Sequence, residues 1–95
     1  MSEMVEAAIK ALSAKLSGGF DGVAKFVIRG EGSIMLDSDG VRAGDEEAEV
    51  TLTADADVFR AILEGDMNAT SAFMQGKLSV DGNMGLAMKV GSVLA

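Results

Sequence analysis

The sequence of 95 residues contains no cysteine, histidine, tryptophan or tyrosine. Without cysteine there are no disulfides and no thiolate metal ligands, and without histidine there is no His-assisted catalytic triad and no His-ligated zinc. A catalyst built from this chain would be limited to Ser, Thr, Asp, Glu, Lys and Arg. A hydrolase of that kind has no evident general base here, so we expect no enzymatic activity, no metal site and no cofactor.

Basic residues are also scarce. Eight Lys and Arg face fifteen Asp and Glu, which leaves a net charge of −7. Nucleic acid is an unfavourable partner for such a chain, because the phosphate backbone would repel it and no basic stripe is present. The first residues, Met1–Glu6, carry acids where a signal peptide needs bases, and no run approaches the roughly 18 apolar residues of a membrane span. We therefore expect a cytoplasmic protein that does not insert stably into membranes.

What the chain does contain is typical of one small globular domain covering residues 1–95. The hydrophobic fraction is 48% and the charged fraction is 24%, so disorder is not expected. A domain of this length buries only about two-thirds of the surface that its unfolded chain exposes. Its core is therefore modest.

Hydrophobic periodicity predicts the secondary structure of the first half. Apolar residues at helical spacing predict an amphipathic helix over 2–16, which Gly18 and Gly19 would end. Two β-rich runs, 25–30 and 33–36, flank Gly30-Glu31-Gly32 and predict a hairpin. The short run 41–43 could extend the sheet, and the alternation of 48–53 predicts a further strand. The acidic run Asp45, Glu46, Glu47 and Glu49, which leads into this strand, is interpreted as a solvated loop and strand face, with a docking surface for a basic partner as the alternative.

In the second half the hydrophobic period changes. Asp55 or Asp57 can cap a helix that carries Val58 to Leu63 and ends at Gly65. Asn68 opens a second short helix, residues 77–81 alternate again until Gly82, and residues 85–95 predict a last helix. The order is thus a helix, three or four strands, two short helices, a strand and a helix. It predicts an α+β fold with helices on one face of a mainly antiparallel sheet and a solvated opposite face.

The stretch 48–82 resembles the sterol carrier protein 2 family. The resemblance lies in the strand 48–53, in Leu63-Glu64-Gly65-Asp66, and above all in Gly76-Lys77-Leu78 followed by Asp81-Gly82. With the first helix and hairpin it extends over the whole chain. It implies a five-stranded sheet flanked by helices, with an apolar tunnel between them that holds a fatty acid, acyl-CoA, sterol or other lipid. The C-terminal residues 92–95 differ from a Ser-Lys-Leu peroxisomal signal, so a small bacterial, cytoplasmic member is expected.

Two features of the residues themselves fit a lipid site. The last helix is apolar around nearly its whole circumference, and four methionines lie in the second half, where thioethers adapt to irregular shapes. Plain core packing explains either feature equally well. We interpret the protein as a non-catalytic carrier of an apolar lipid, with the alternative that the last helix docks onto a partner enzyme or a second copy and the cavity is collapsed. The residues predicted to line the cavity are Phe59, Ile62, Phe73, Met74, Met84, Leu86 and Met88.

Overall fold

The computed structural model describes residues 2–16 and 19–94. Its elements follow the predicted order. They are α1 (Glu3–Lys15), β1 (Ala24–Ile28), β2 (Gly32–Asp37), β3 (Gly40–Ala43), β4 (Val50–Ala54), α2 (Ala56–Glu64), α3 (Ala69–Met74), β5 (Leu78–Gly82) and α4 (Met84–Leu94).

The five strands form one sheet in the order β3-β2-β1-β4-β5. Strand β1 pairs antiparallel with β2 and parallel with β4, and the remaining pairs are antiparallel. The parallel pair arises because β4 returns to the free side of β1, after the β1–β2–β3 hairpins have occupied its other side. The prediction of an α+β fold with a mainly antiparallel five-stranded sheet is confirmed.

The helices cover one face of this sheet. The inward-facing residues of β1, β2 and β4 form a single core cluster with residues from all four helices. Phe26, Ile34 and Leu52 are among the buried strand residues, and Leu12 and Val90 are among their helical partners. Alternate side chains of each strand therefore lie on the helix-covered face and on the outer face of the sheet, as predicted.

Short polar contacts fix the helix ends. The Ser2 hydroxyl accepts a hydrogen bond from the Val5 N–H at 3.1 Å, and Asn68 Oδ1 accepts from the N–H groups of Thr70 and Ser71. Gly65 ends α2 in the left-handed conformation, as its position in the sequence predicts. The predicted stop of α1 at Gly18 lies outside the described residues.

Two predicted helix and strand signals differ in detail. Asp55 does occupy the N-cap position of α2, but its carboxylate forms an ion pair with Arg29 at 3.1 Å and makes no capping bond. Gly82 was predicted to break the last strand and is instead its final residue, paired with Val50. Its φ of 106° suits glycine, and a Cβ there would lie 2.4 Å from the carbonyl oxygen of Glu49.

The outer face of the sheet is less solvated than the sequence predicts. Met35 in β2 lies on this face, in register between Lys25 and Arg42, and is fully buried. The chain after β3 passes over it, with Gly44 packed against the Met35 side chain. The prediction of a wholly solvated outer face is therefore wrong at Met35, because a loop covers this apolar side chain.

Ion pairs hold this loop in place. Lys25 Nζ lies 2.8 Å from Asp45 Oδ1, and Arg42 contacts Glu46 at 3.3 Å and Asp37 at 2.9 Å. The carboxylates of Asp45 and Glu46 remain exposed, as predicted for a solvated acidic run. Their charges nevertheless have specific partners, so the loop is attached to the sheet rather than free in solvent.

Candidate functional site: an apolar groove beside α3 and α4

A groove of about 530 Å³ lies where α3 and α4 face the edge of the sheet formed by β4 and β5. It opens to solvent, whereas the resemblance implied a tunnel. We call it the α3–α4 groove. It is lined by Leu52, Asn68, Ala69, Thr70, Phe73, Met74, Leu78, Val80, Met84, Ala87, Met88, Gly91 and Ser92.

The floor of the groove comes from the sheet. Leu52 of β4 and Val80 of β5 are directly paired across the two strands, so both side chains leave the same face. Leu78 lies two residues before Val80 and shares that face by alternation. Because β5 is an edge strand, the apolar floor reaches the border of the sheet, where the two helices leave it open.

One wall is α3, a helix of only six residues. Asn68 caps its first turn, and the buried Ala72 anchors it to the core. Phe73 and Met74 follow at its C-terminal end, where they line the groove. Because successive helical residues point about 100° apart, Phe73 and Met74 turn away from the core that Ala72 faces, and both are exposed.

The other wall is α4, whose first turn is fixed by a hydrogen bond from the Leu86 N–H to Asn83 Oδ1 at 3.1 Å. Ala87, Val90 and Leu94 form its buried stripe at i, i+3 and i+7. Met84, Met88 and Gly91, at i, i+4 and i+7, lie on the adjoining face and line the groove. One apolar helix thus contributes side chains to both the core and the groove, and Ala87 lies where the two faces join.

The groove concentrates the exposed apolar side chains of the protein. Phe73 is 41% exposed, Met74 80%, Met84 50% and Met88 74%, and within residues 2–16 and 19–94 no other large hydrophobic side chain is classed as exposed. Scattered single hydrophobic residues are normal on protein surfaces, but a contiguous group indicates a binding site. The group therefore marks the α3–α4 groove as the candidate functional site.

The seven residues predicted to line a cavity separate into two sets. Phe73, Met74, Met84 and Met88 come together in the groove. Phe59 and Ile62 lie in the core beneath α2, and Leu86 points to the other side of α4, where it contacts Gly22.

The floor residues and the small residues of α4 were missed at the sequence level. The alternation of residues 77–81 places Leu78 and Val80 on one face of the strand, and only the pairing of β5 with β4 shows that this face lies under the groove rather than under a helix. Gly91 carries no sequence signal beyond its lack of a side chain.

Among the described residues that line the groove, none carries a charged side chain. Lys89 follows Met88 in α4, but its ammonium group contacts the Asp21 carboxylate at 3.2 Å and lies 6.0 Å from the Phe20 ring centroid, on the Phe20–Asp21 side of the helix. Asn68, Thr70 and Ser92 supply the polar side chains of the lining. The groove can therefore receive an aliphatic chain and offer uncharged hydrogen-bonding groups.

A second depression, of about 360 Å³, lies between α1 and α2. It is lined by small residues of α1 and by charges of both signs, Arg60 with Glu3 and Glu64. The Arg60 guanidinium contacts Met4 Sδ at 3.7 Å. The larger volume and uncharged lining of the α3–α4 groove make it the better site for an apolar ligand.

Within the described ranges, no three Asp or Glu side chains are grouped so that they could hold a metal ion. None of the helices that the structure describes is long and apolar enough to cross a bilayer.

Comparison with known proteins connects this architecture to lipid carriers. Residues 3–95 match the profile of the SCP-2 sterol transfer family. The chain is 48% identical over 68 residues to sterol carrier protein 2 of Rattus norvegicus, and this alignment covers 70% of the chain and 11% of the rat protein. It is 45% identical over 65 residues to peroxisomal multifunctional enzyme A of Dictyostelium discoideum, covering 68% of this chain and 14% of that enzyme. The matches thus span only a small part of these curated relatives.

Solved structures give the same answer for the fold. The sterol carrier protein 2 of Aedes aegypti, determined in solution in complex with the C16 fatty acid palmitate, superposes with a TM-score of 0.80 at 26% identity. The superposition covers 100% of this chain and 97% of the mosquito protein. The five-stranded sheet with four helices is therefore the architecture of a protein solved with a fatty acid bound.

Proposed function

Because the chain belongs to the SCP-2 sterol transfer family, we propose that residues 1–95 form one domain that carries an apolar lipid in the α3–α4 groove and catalyses no reaction. The observation that carries the proposal is the convergence of Phe73, Met74, Met84 and Met88 on one uncharged groove. The mosquito relative with bound palmitate supports the same class of ligand. A cytoplasmic location is part of the proposal and can be tested by cell fractionation.

The energetics favour an acyl chain in such a groove. Each buried methylene contributes about 0.8 kcal/mol, so a twelve-carbon chain contributes about 10 kcal/mol before the cost of association. Micromolar binding is within reach without a charged anchor. The long, flexible side chains of Met74, Met84 and Met88 can adjust to chains of different shape. The proposal covers binding alone and does not extend to the activities of the much longer relatives.

Native mass spectrometry of the freshly purified protein, followed by extraction and identification of lipids, is the direct test. A lipid that co-purifies at near-equal stoichiometry would support the proposal and give its chemical class. A clean apo-protein should then bind the neutral apolar dye Nile red, with saturation at one site. Failure to retain a lipid, to bind Nile red and to take up an added fatty alcohol would refute the proposal.

A pair of variants locates the site. Met88→Glu places a carboxylate among apolar side chains, and we expect it to weaken Nile red binding at least tenfold because the charge must be desolvated when the groove fills. Ala14→Glu adds the same charge at an exposed position of α1, outside the groove, and should bind as the wild type does. Equal loss in both variants would show that net charge, not the groove, governs binding.

A second candidate function rests on the exposure of Met74 and Met88. Side chains that are 80% and 74% exposed could dock onto a partner enzyme or a second copy of the chain. This is the interaction module that the apolar last helix also suggested. Sedimentation analysis separates the two functions, since a carrier stays monomeric while it binds lipid, and an interaction module forms a dimer or complex that Met88→Glu disrupts.

A further inference from the structure

The groove has a polar end and an apolar end. Helices α3 and α4 meet at Ala69 and Gly91, where a Cβ at Gly91 would lie 3.9 Å from the Cβ of Ala69. Asn68 and Thr70 flank Ala69 in the chain, and Ser92 follows Gly91, so the three polar lining residues all neighbour this contact in the sequence. The large apolar side chains occupy the remainder of the groove.

The polar end offers hydrogen bonds without charge. Asn68 Oδ1 already accepts bonds from the N–H groups of Thr70 at 2.8 Å and Ser71 at 3.2 Å, which leaves its amide NH₂ as a donor. The hydroxyl groups of Thr70 and Ser92 can both donate and accept. Such a set suits the hydroxyl or ester group of a neutral lipid.

A carboxylate meets a less favourable environment. The lining residues that the structure describes include no cation, and Lys89 is paired with Asp21. Asp66 lies two residues before Asn68, and the whole chain carries a net charge of −7. An anion held against this lining gains no counter-charge for the hydration that it gives up, which disfavours it relative to an uncharged polar group.

We propose that the α3–α4 groove selects lipids whose polar group is uncharged, a long-chain alcohol or ester, over the corresponding carboxylate. This inference rests on the proposed function and names the ligand class of the same site. Because the mosquito relative was solved with palmitate, the selectivity is a property of this chain's own lining rather than of the fold.

Displacement of Nile red by matched ten-carbon probes tests the selectivity. We expect 1-decanol and methyl decanoate to bind at least about tenfold more tightly than decanoate at pH 8, the equivalent of one pKa unit. As the pH falls from 8 to 5, decanoate should gain affinity as it becomes protonated, while the affinity for decanol stays constant. Equal affinities at pH 8 would overturn the selectivity and leave lipid carriage intact, whereas no displacement by any probe would refute both.

A cation introduced at the polar end should reverse the preference. Ser92 is exposed, so Ser92→Lys is expected to fold and to bind decanoate more tightly than decanol at pH 8. Ser92→Gln adds similar length without charge and should not reverse the order, and Ala14→Lys adds the charge outside the groove and should keep the wild-type order. If Ser92→Lys loses its helical circular dichroism, Thr70→Lys serves as the second variant. A folded lysine variant that still prefers decanol would overturn the assignment of the polar end.

Discussion

The ring of Phe59 in α2 packs against the ring of Phe26 in β1, with centroids 4.8 Å apart and planes tilted by 49°. Both side chains are fully buried, at 0% and 1% exposure. Tilted aromatic pairs at this distance stabilise a core beyond the area that they bury. The contact fastens α2 to the centre of the sheet and explains why Phe59 does not reach the groove.

Phe59 and Phe73 both lie in helices, but replacing the first should lower the stability of the fold, whereas replacing the second should weaken ligand binding. Phe59→Ala removes a fully buried ring, and we expect the free energy of unfolding to fall by about 3–5 kcal/mol. Phe73→Ala truncates a side chain that is 41% exposed and should cost less stability, yet weaken Nile red binding. Urea denaturation and dye titration of both variants measure the two effects. A large stability loss in Phe73→Ala with unchanged binding would show that Phe73 is a core residue.

The sequence could predict the apolar face of α2 but not its partner. Val58, Phe59 and Ile62 have helical spacing, and the same spacing suits a helix that packs on a sheet or one that lines a cavity. Met84 and Met88 follow an identical rule and lie in the groove, because α4 has a second apolar face beyond its buried stripe. Which face is covered depends on pairing between distant strands, and that information is not contained in local periodicity.

Methionine oxidation by hydrogen peroxide, followed by peptide mass spectrometry, should report the groove residue by residue. Met74 and Met88 are 80% and 74% exposed and should oxidise fastest, while Met35 at 0% exposure should be protected. Saturation with 1-decanol should slow oxidation of Met84 and Met88 and leave Met4, on α1, unchanged. Equal protection of Met4 would indicate general stabilisation of the fold instead of a ligand in the groove.

The burial of Met35 shows where an alternating pattern misleads. In β2 the residues Ile34 and Leu36 face the helices, so Met35 falls on the outer face and reads as solvated. It is covered because Lys25 and Arg42, its neighbours across the sheet, hold the acidic loop over it. In the sequence Asp45 and Glu46 look like solvated loop residues. Their basic partners are 20 and four residues away along the chain, so the ion pairs become visible only once the sheet is formed.

A pH dependence of stability should originate at the Asp37–Arg42 ion pair, which joins the end of β2 to β3. The Arg42 guanidinium hydrogen-bonds to the Asp37 carboxylate and holds the pKa of Asp37 below its ordinary value. A lowered pKa in the folded state stabilises the protein above the unfolded value of about 3.9, and this contribution is lost as the pH falls through the folded pKa. We expect the melting temperature of the wild type to fall more steeply than that of Asp37→Asn below about pH 4.

An NMR titration of the Asp37 carboxyl carbon checks the cause directly. Its midpoint should rise in Arg42→Gln, because the hydrogen bond and the positive charge are both removed. Lys25→Gln removes a cation from the same face without touching Asp37 and serves as the control. An unchanged Asp37 midpoint in Arg42→Gln would mean that another group lowers the pKa.

Substitutions at Gly91 should distinguish the stability of α4 from the ability of the groove to bind a ligand. A Cβ at this position would lie 3.9 Å from the Cβ of Ala69, which is an ordinary contact, and the backbone is helical. Gly91→Ala should therefore stabilise the protein by about 0.5–1 kcal/mol, because alanine loses less conformational entropy in a helix. Gly91→Leu keeps that helical advantage but fills part of the 530 Å³ groove, so ligand affinity should fall while the melting temperature does not.

Thermal melts and Nile red titrations of the two Gly91 variants check this separation. Gly85→Ala is the matched control in the first turn of α4, where the new Cβ would lie 3.2 Å from Asn83 Oδ1 and outside the groove lining. It should leave dye binding unchanged. A leucine side chain at position 91 would occupy the space between α3 and α4. If Gly91→Leu bound the dye as well as the wild type does, the ligand would therefore not bind in that space.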